Sequence, residues 1–161
     1  MIVVSNTSPI TNLALIGRLD LLEQLYGALT IPDAVWQELV VNGAHLPSAQ
    51  QIADASWLSV RTVTNRALVQ SLRQDLDAGE AEAIALAMEM NADLLLIDER
   101  IGRESAQHLG VTYMGLIGVL VQCKQRGLIP QVRPVIDALR LQAGFWISDA
   151  LYQRVLHDAG E

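Results

Sequence analysis

The apolar residues of this chain form short unbroken runs and longer stretches with helical spacing. One such run, Leu94–Ile97, is followed directly by the carboxylates Asp98 and Glu99. Four consecutive apolar residues are too few for an ordinary helix and are typical of a strand that is buried on both faces. The preceding stretch, Gly79–Met90, is apolar on almost every side, which predicts a helix at the centre of the fold.

The pattern along the whole chain predicts strands that alternate with helices. The predicted strands are Ile2–Ser5, Ala28–Ile31, Trp57–Val63 (with the alternation of an edge strand), Asp93–Ile97 and Val111–Tyr113. The first predicted helix ends at Gly17, and the others cover Leu19–Leu25, Pro32–Val40, Gly79–Met90, Arg100–His108, Leu116–Gln125, Pro130–Leu141 and Ser148–His157. The segment Asn65–Leu76 is predicted to be either an exposed helix or a lid. This order predicts an α/β fold with a parallel sheet of about four strands.

Length and composition indicate one domain over residues 1–161. Hydrophobic residues make up 51% of the chain, which is enough for a substantial core. No apolar run approaches the ~20 residues that span a bilayer, and no basic segment precedes the first strand, so we expect neither a membrane span nor a signal peptide. The single cysteine, Cys123, lies in an apolar stretch, where we expect a small buried side chain in a protein of the reducing cytoplasm.

The net charge of −7 argues against non-specific binding of nucleic acid by a basic surface. It leaves room for an enzyme that meets phosphate through a bound metal ion, because carboxylates are then the ligands of the metal.

Four polar residues follow strands or begin helices at one predicted edge of the sheet. Asn6 ends the first strand, Glu38 lies in the helix after the second, Glu80 begins the central helix and Asp98 ends the buried strand. Ligands of open parallel sheets bind beyond the carboxyl ends of the strands. Hard cations such as Mg²⁺ or Mn²⁺ prefer oxygen ligands, and phosphodiester hydrolysis uses such cations.

Each of these residues also has an ordinary structural interpretation. Asn6 and Asp98 are suitable helix caps, Glu80 suits the positive end of a helix dipole, and Glu38 suits a solvated helix face. Only their joint placement favours a metal site.

Two further acids are secondary candidates. Glu80 and Glu82 project about 200° apart on a regular helix, so only one of them can face the cleft. We assign Glu80 to the cleft; Glu82 is an alternative ligand, an outer ligand or a buried ion-pair partner. Glu99 can assist if the chain turns after Asp98.

Arg100 and Arg103 begin the helix after Asp98 and are candidates for contacts with substrate phosphate, although both also suit a plain surface. The three tryptophans, Trp36, Trp57 and Trp146, suit packing in a core or a dimer, or stacking on bases.

Several segments that include these acids together resemble a PIN-like domain, and more narrowly a subgroup related to VapC-type toxins. The segments that carry the resemblance are Val3–Ile10, Leu25–Gly27, Ile31–Pro32 with Glu38, Leu76–Ile84, Leu95–Glu99, the Gly127–Pro130 turn and Phe145–Ser148. The resemblance implies a three-layer α/β/α sandwich with about five strands and acidic residues that bind Mg²⁺ or Mn²⁺. It also implies cleavage of single-stranded RNA, a small antitoxin as partner and a homodimer. Glu38, Glu80 and Asp98 match the family's acidic positions.

Asn6 departs from this family pattern, which usually has Asp at that position. An amide keeps one oxygen ligand but loses the negative charge, which lowers metal affinity. The sequence therefore supports three hypotheses: a metal-dependent ribonuclease toxin, a weak or inactive PIN-like module that binds RNA or a protein, and an unrelated regulatory α/β domain.

Overall fold

Five short parallel strands form the centre of the fold. The computed structural model describes residues 1–161 and orders the strands β3-β2-β1-β4-β5. Their bounds are β1 (Val3–Ser5), β2 (Leu29–Pro32), β3 (Leu58–Arg61), β4 (Leu94–Leu96) and β5 (Tyr113–Met114). The predicted α/β class is confirmed, and β3 lies at an edge of the sheet, as its alternating pattern predicts.

Ten α-helices connect and cover these strands. They are α1 (Thr7–Leu15), α2 (Asp20–Tyr26), α3 (Asp33–Trp36), α4 (Ser48–Ala53), α5 (Arg66–Leu72), α6 (Ala78–Glu89), α7 (Arg100–His108), α8 (Leu116–Gln125), α9 (Arg133–Gln142) and α10 (Asp149–Asp158). The third helix continues without a break into a π-helical segment, Gln37–Val41. The predicted bounds of α7 and α8 agree with the structure residue for residue.

Successive residues of the central strands face opposite sides of the sheet, which creates two cores. Val3 and Leu96 pack with α1, α2, α8, α9 and α10 on one side. Val4 and Leu95 pack with α6 and with residues of α5 and α7 on the other. The sheet is therefore covered on both faces, and the expected three-layer α/β/α architecture is confirmed. This double covering explains why β4 is apolar at every position.

The strand order reverses between β1 and β4, and this reversal positions the candidate site. From β1 the chain proceeds outwards to β2 and β3, then returns to add β4 and β5 on the other side of β1. Ser5 pairs with Leu96, and the Asn6 backbone N–H donates to the Leu96 carbonyl at 2.9 Å. Asn6 and Asp98 therefore leave the sheet side by side at the switch point, where ligands of such folds bind.

The last strand lies later in the chain than its pattern predicts. The sequence predicts Val111–Tyr113, whereas β5 covers Tyr113–Met114. Its extent is determined by pairing, since Tyr113 and Met114 lie opposite Leu95 and Leu96 of β4. A two-residue strand carries too little local pattern to fix its own limits.

The expected burial of the single cysteine is confirmed. The Cys123 side chain is fully buried in α8, and burial raises the pKa of its thiol to about 11. None of the helices combines the length and the apolar composition that a bilayer crossing requires.

Candidate functional site

Asn6 and Glu99 are in direct contact at the switch point. Asn6 is 3% exposed and occupies the N-cap position of α1, but its side chain makes no capping bond. Instead Nδ2 donates to Oε2 of Glu99 at 3.2 Å, while Ser8 Oγ donates to Glu99 Oε1 at 2.7 Å. The remaining Asn6 atom, Oδ1, is buried without a hydrogen-bond partner. The chain turns after Asp98 and Glu99 becomes the N-cap residue of α7, which brings its side chain to Asn6.

Asp98 has one bonded and one unpartnered oxygen. Oδ1 accepts from the backbone N–H of Leu116 at 2.8 Å, so Asp98 caps α8 rather than the helix that follows it. Oδ2 is buried without a partner. Burial raises the pKa of Asp98 and the nearby Glu99 raises it further, whereas the Leu116 N–H and Arg103 lower it. A Cβ at Gly115 would lie 2.8 Å from Oδ1, so glycine leaves the space for this carboxylate.

Glu38 lies in the π-helical segment Gln37–Val41, a conformation that occurs frequently at functional sites. Thr7 Oγ1 donates to Glu38 Oε2 in a short hydrogen bond of 2.5 Å. The other oxygen lies against Gly79, where an added Cβ would be only 2.6 Å away. Glu38 is therefore held between the starts of α1 and α6.

Glu80 is part of the N-terminal cap of α6. Its backbone N–H donates to Asp77 Oδ1 at 2.8 Å, and its Oε2 accepts from the Asp77 N–H at 3.2 Å, which is a capping box. Burial raises the pKa of Glu80, and the charges of Asp77, Glu99 and Glu38 raise it further. The ordinary interpretation as a helix-start carboxylate is correct, and the residue also lies in the field of the other acids.

Glu99 connects the acids electrostatically. Burial raises the pKa of Glu38, with added contributions from the charges of Asp77 and Glu99. Glu99 also raises the pKa values of Glu80 and Asp98, so it is the one carboxylate that acts on all three predicted ligands.

Glu82 has a different set of neighbours. One oxygen accepts from the Ala34 N–H at 3.0 Å and the other from Arg66 at 3.1 Å. These contacts tie α6 to the start of α3 and to α5. They match the buried ion pair that the sequence offers as an alternative for Glu82, and they explain how the chain tolerates a nearly buried carboxylate.

No three His, Cys, Asp or Glu side chains of the chain are arranged closely enough to hold an ion as they stand. Glu38, Glu80, Asp98 and Glu99 each direct at least one oxygen to a protein donor. The convergence of Glu38, Glu80 and Asp98 on one cation therefore stays a prediction. The residues nevertheless fit a cation, because Asn6 Oδ1 and Asp98 Oδ2 are buried oxygens without donors, among carboxylates whose pKa values are raised.

The two candidate arginines lie in different places. Arg103 lines a cavity of about 670 Å³ together with Asp98 and Glu99. Arg100 instead pairs with Glu104 at 2.9 Å and lines a separate cleft of about 620 Å³ between α5 and α7. Their contact with phosphate stays a prediction for both, and only Arg103 shares a cavity with the acids.

Sequence reasoning missed the polar residues that hold the acids in place. Thr7 and Ser8 donate to Glu38 and Glu99, and Asp77 holds Glu80. A signal is present, since Thr7 and Ser8 directly follow Asn6, but hydroxyl residues at this place are equally typical of a helix start. Long-range partners of hydroxyl groups cannot be inferred from spacing along the chain.

Comparison with known proteins gives the family. Residues 2–161 match a family model described as a PIN domain (DUF3368). No curated protein matches the chain. The match does not identify the VapC-type subgroup, which stays a prediction. It argues against the hypothesis of a regulatory α/β domain that is unrelated to PIN domains. PIN domains are a nuclease fold whose members generally depend on divalent metal. Because the match spans almost the whole chain and the parallel five-stranded sheet agrees with it, this protein belongs to the PIN-domain family.

Proposed function

We propose that this protein is a metal-dependent single-strand ribonuclease and the toxin of a toxin–antitoxin pair. One observation carries the nuclease proposal: Asn6 Oδ1 and Asp98 Oδ2 are both buried without hydrogen-bond partners, and their residues follow the paired strands β1 and β4. Buried oxygens of this kind are costly unless a donor or a cation satisfies them. The family match supplies independent support.

The donor set favours Mg²⁺ or Mn²⁺, because all its members are oxygens of carboxylates and one amide. Asp98, Asn6 and Glu99 would hold the cation at the switch point, with Glu38 and Glu80 contributing from the starts of the neighbouring helices. The chemistry supplied by a bound cation is polarisation of the scissile phosphate and of the attacking water.

The other residues of the site orient these ligands. Ser8 fixes one oxygen of Glu99, Thr7 fixes one oxygen of Glu38, and the Leu116 N–H fixes one oxygen of Asp98. Each bond leaves the carboxylate a further lone pair for a cation. Arg103, in the same cavity as Asp98, would hold the substrate phosphate and offset the negative charge of the acids.

The partners in this proposal are single-stranded RNA, a cognate small antitoxin and a second copy of the chain, in the cytoplasm. The antitoxin and the homodimer rest on the resemblance to VapC-type toxins.

A cleavage assay with single-stranded RNA and Mn²⁺ tests the proposal. We expect cleavage that a chelator abolishes and that Asp98→Asn reduces at least about a hundredfold. Glu104→Gln is the matched control, because Glu104 is an exposed acid of α7 that pairs only with Arg100. Metal-independent cleavage, or equal cleavage by Asp98→Asn, would remove the proposal.

A second candidate function is a catalytically weak or inactive module that binds RNA or a protein. The contact between Asn6 and Glu99 favours this function, because the Asn6 amide donates to an oxygen of Glu99 and so satisfies that carboxylate without a cation. Asn6→Asp separates the two functions. Activity that appears only in the variant supports the inactive module, whereas equal activity of both forms supports the nuclease.

A further inference from the structure

The cavity that contains Asp98, Glu99 and Arg103 has an aromatic wall on its far side. This wall is formed by the loop between α9 and α10, where Phe145 and Trp146 line the cavity. Trp146 is 82% exposed, although tryptophan side chains are on average mostly buried. An indole left open beside charged groups is therefore the feature of this cavity that the fold alone does not explain.

The loop that carries Trp146 is fixed on both sides of it. The Phe145 N–H donates to the Leu139 carbonyl at 3.1 Å, and Arg140 donates to the Ile147 carbonyl at 3.1 Å. Ile147 is buried, and Arg140 also pairs with Asp149 at the start of α10. The backbone of Trp146 is thus held from both directions while its ring stays uncovered, which suits a stacking platform with little ordering entropy to lose.

The rest of the cavity has the composition that a nucleotide requires. Arg103 offers a cation for phosphate, and Asn12 on α1 offers both a donor and an acceptor to the edge of a base. Its volume of about 670 Å³ lies within the ~300–1,000 Å³ range of small-ligand sites. Because Asp98 and Glu99 line the same cavity, a strand bound there continues directly to the acids.

We propose that this cavity is a base-binding subsite in which Trp146 stacks on a nucleobase of single-stranded RNA and Arg103 contacts the adjoining phosphate. The inference rests on the proposed function, since it names where the RNA lies relative to the acids. Stacking tolerates any base, so this subsite contributes affinity and the position of the cut more than sequence recognition.

A binding measurement tests the subsite without relying on cleavage. The probe is a single-stranded oligouridylate of about eight nucleotides with 5-iodouridine and a terminal fluorophore, mixed with the full chain in Ca²⁺. We expect Trp146→Ala to weaken binding about 5- to 150-fold, and Trp146→Phe to weaken it less. Leu141→Ala is the control, because Leu141 is 86% exposed on α9 and does not line the cavity. We also expect ultraviolet cross-linking to label Trp146.

The possible outcomes separate the subsite from the nuclease. If the chain cleaves RNA but Trp146→Ala binds the probe as the parent does, the subsite is wrong and the nuclease remains. If the chain does not cleave RNA but the probe cross-links to Trp146, the subsite stands and the nuclease fails. If Trp146→Ala changes only the oligomeric state, or if the probe does not bind, the cavity is not an RNA subsite.

Discussion

The Asn6 amide donates to Oε2 of Glu99 at 3.2 Å, across 93 positions of the chain. This bond joins the end of β1 to the start of α7 at the point where the strand order reverses. It also supplies a hydrogen-bond donor to the Glu99 carboxylate, which lies near the carboxylates of Glu38 and Asp98. An aspartate at position 6 would place two carboxylates at this distance, which requires a cation or a shared proton.

Asn6→Asp therefore tests how the site balances its charge. In chelator at about pH 7 we expect the free energy of unfolding to fall by about 1.5–3 kcal/mol, because a hydrogen bond to a charged group is replaced by repulsion. Addition of Mn²⁺ is expected to stabilise the variant more than the parent. Denaturant titrations with chelator and with Mn²⁺ measure both effects.

Asn42→Asp is the matched control for this change. Asn42 is exposed, and its side chain makes no hydrogen bond, so we expect a change within about 0.5 kcal/mol. An Asn6→Asp variant that is as stable as the parent in chelator, and that gains nothing from Mn²⁺, would contradict the charge balance inferred here.

The pH dependence of stability should reveal Asp98. Its pKa in the folded chain is raised from 3.8, mainly by burial. The folded state then holds a proton that the unfolded state has released, so the stabilising contribution is full below about pH 3.8 and is lost as the pH rises through the folded pKa. In chelator, the stability of Asp98→Asn relative to the parent should therefore increase as the pH rises above about 3.8, and should level off once the pH has passed the folded pKa. Urea titrations at several pH values measure the difference; a constant difference would show that Asp98 is not perturbed.

Gly79→Ala should separate metal binding from folding. The new Cβ would lie 2.6 Å from Glu38 Oε1, and the flexible carboxylate can rotate away. Alanine also favours the helix by about 1 kcal/mol, so we expect the stability to change by no more than about that amount. Mn²⁺ affinity should fall about tenfold or more, measured by calorimetric titration. Met88→Ala, a change at an exposed position of the same helix, should leave the titration unchanged. Unaltered affinity in Gly79→Ala would remove Glu38 from the ligands.

Substitution by alanine should affect Mn²⁺ affinity at Glu80 but not at Glu82, although both changes should lower the stability. Glu82→Ala leaves the Ala34 N–H and Arg66 without their acceptor, which should cost about 1–3 kcal/mol of stability and leave Mn²⁺ affinity intact. Glu80→Ala should lower Mn²⁺ affinity and cost only about 0.5–2 kcal/mol through loss of the capping box. Thermal unfolding and Mn²⁺ titration of both variants test this assignment. Loss of metal binding in Glu82→Ala alone would reverse the two roles.

The sequence predicts those parts of the fold whose pattern is determined locally or by full burial. The run Leu94–Ile97 identifies β4 because only a strand covered on both faces is apolar at each position. Gly110 follows the end of α7 and Gly115 precedes the start of α8, so these two helix ends can be predicted from the positions of the glycines. The limits of β5 depend on its pairing with β4, and the π-helical segment has no signal of this kind.

The site is less accessible to sequence reasoning because its contacts join distant segments. The different neighbours of Glu80 and Glu82 agree with their angular separation on a helix, which is a local property. The position of Glu99 depends instead on a turn after Asp98, and the partner of Asp98 is a backbone N–H that belongs to α8. No spacing rule connects such groups before the tertiary structure is known.

The pairing of β1 with β4 also determines when the site can exist during synthesis. Until Leu94–Leu96 have left the ribosome, β1 can pair with a strand on one side only, and Asn6 cannot form its hydrogen bond to Glu99. Contacts this far apart along a chain form late in folding. Under the ribonuclease activity proposed above, a nascent polypeptide that stops short of this strand is therefore expected to leave RNA uncut, and cleavage would begin only with chains whose translation has passed it.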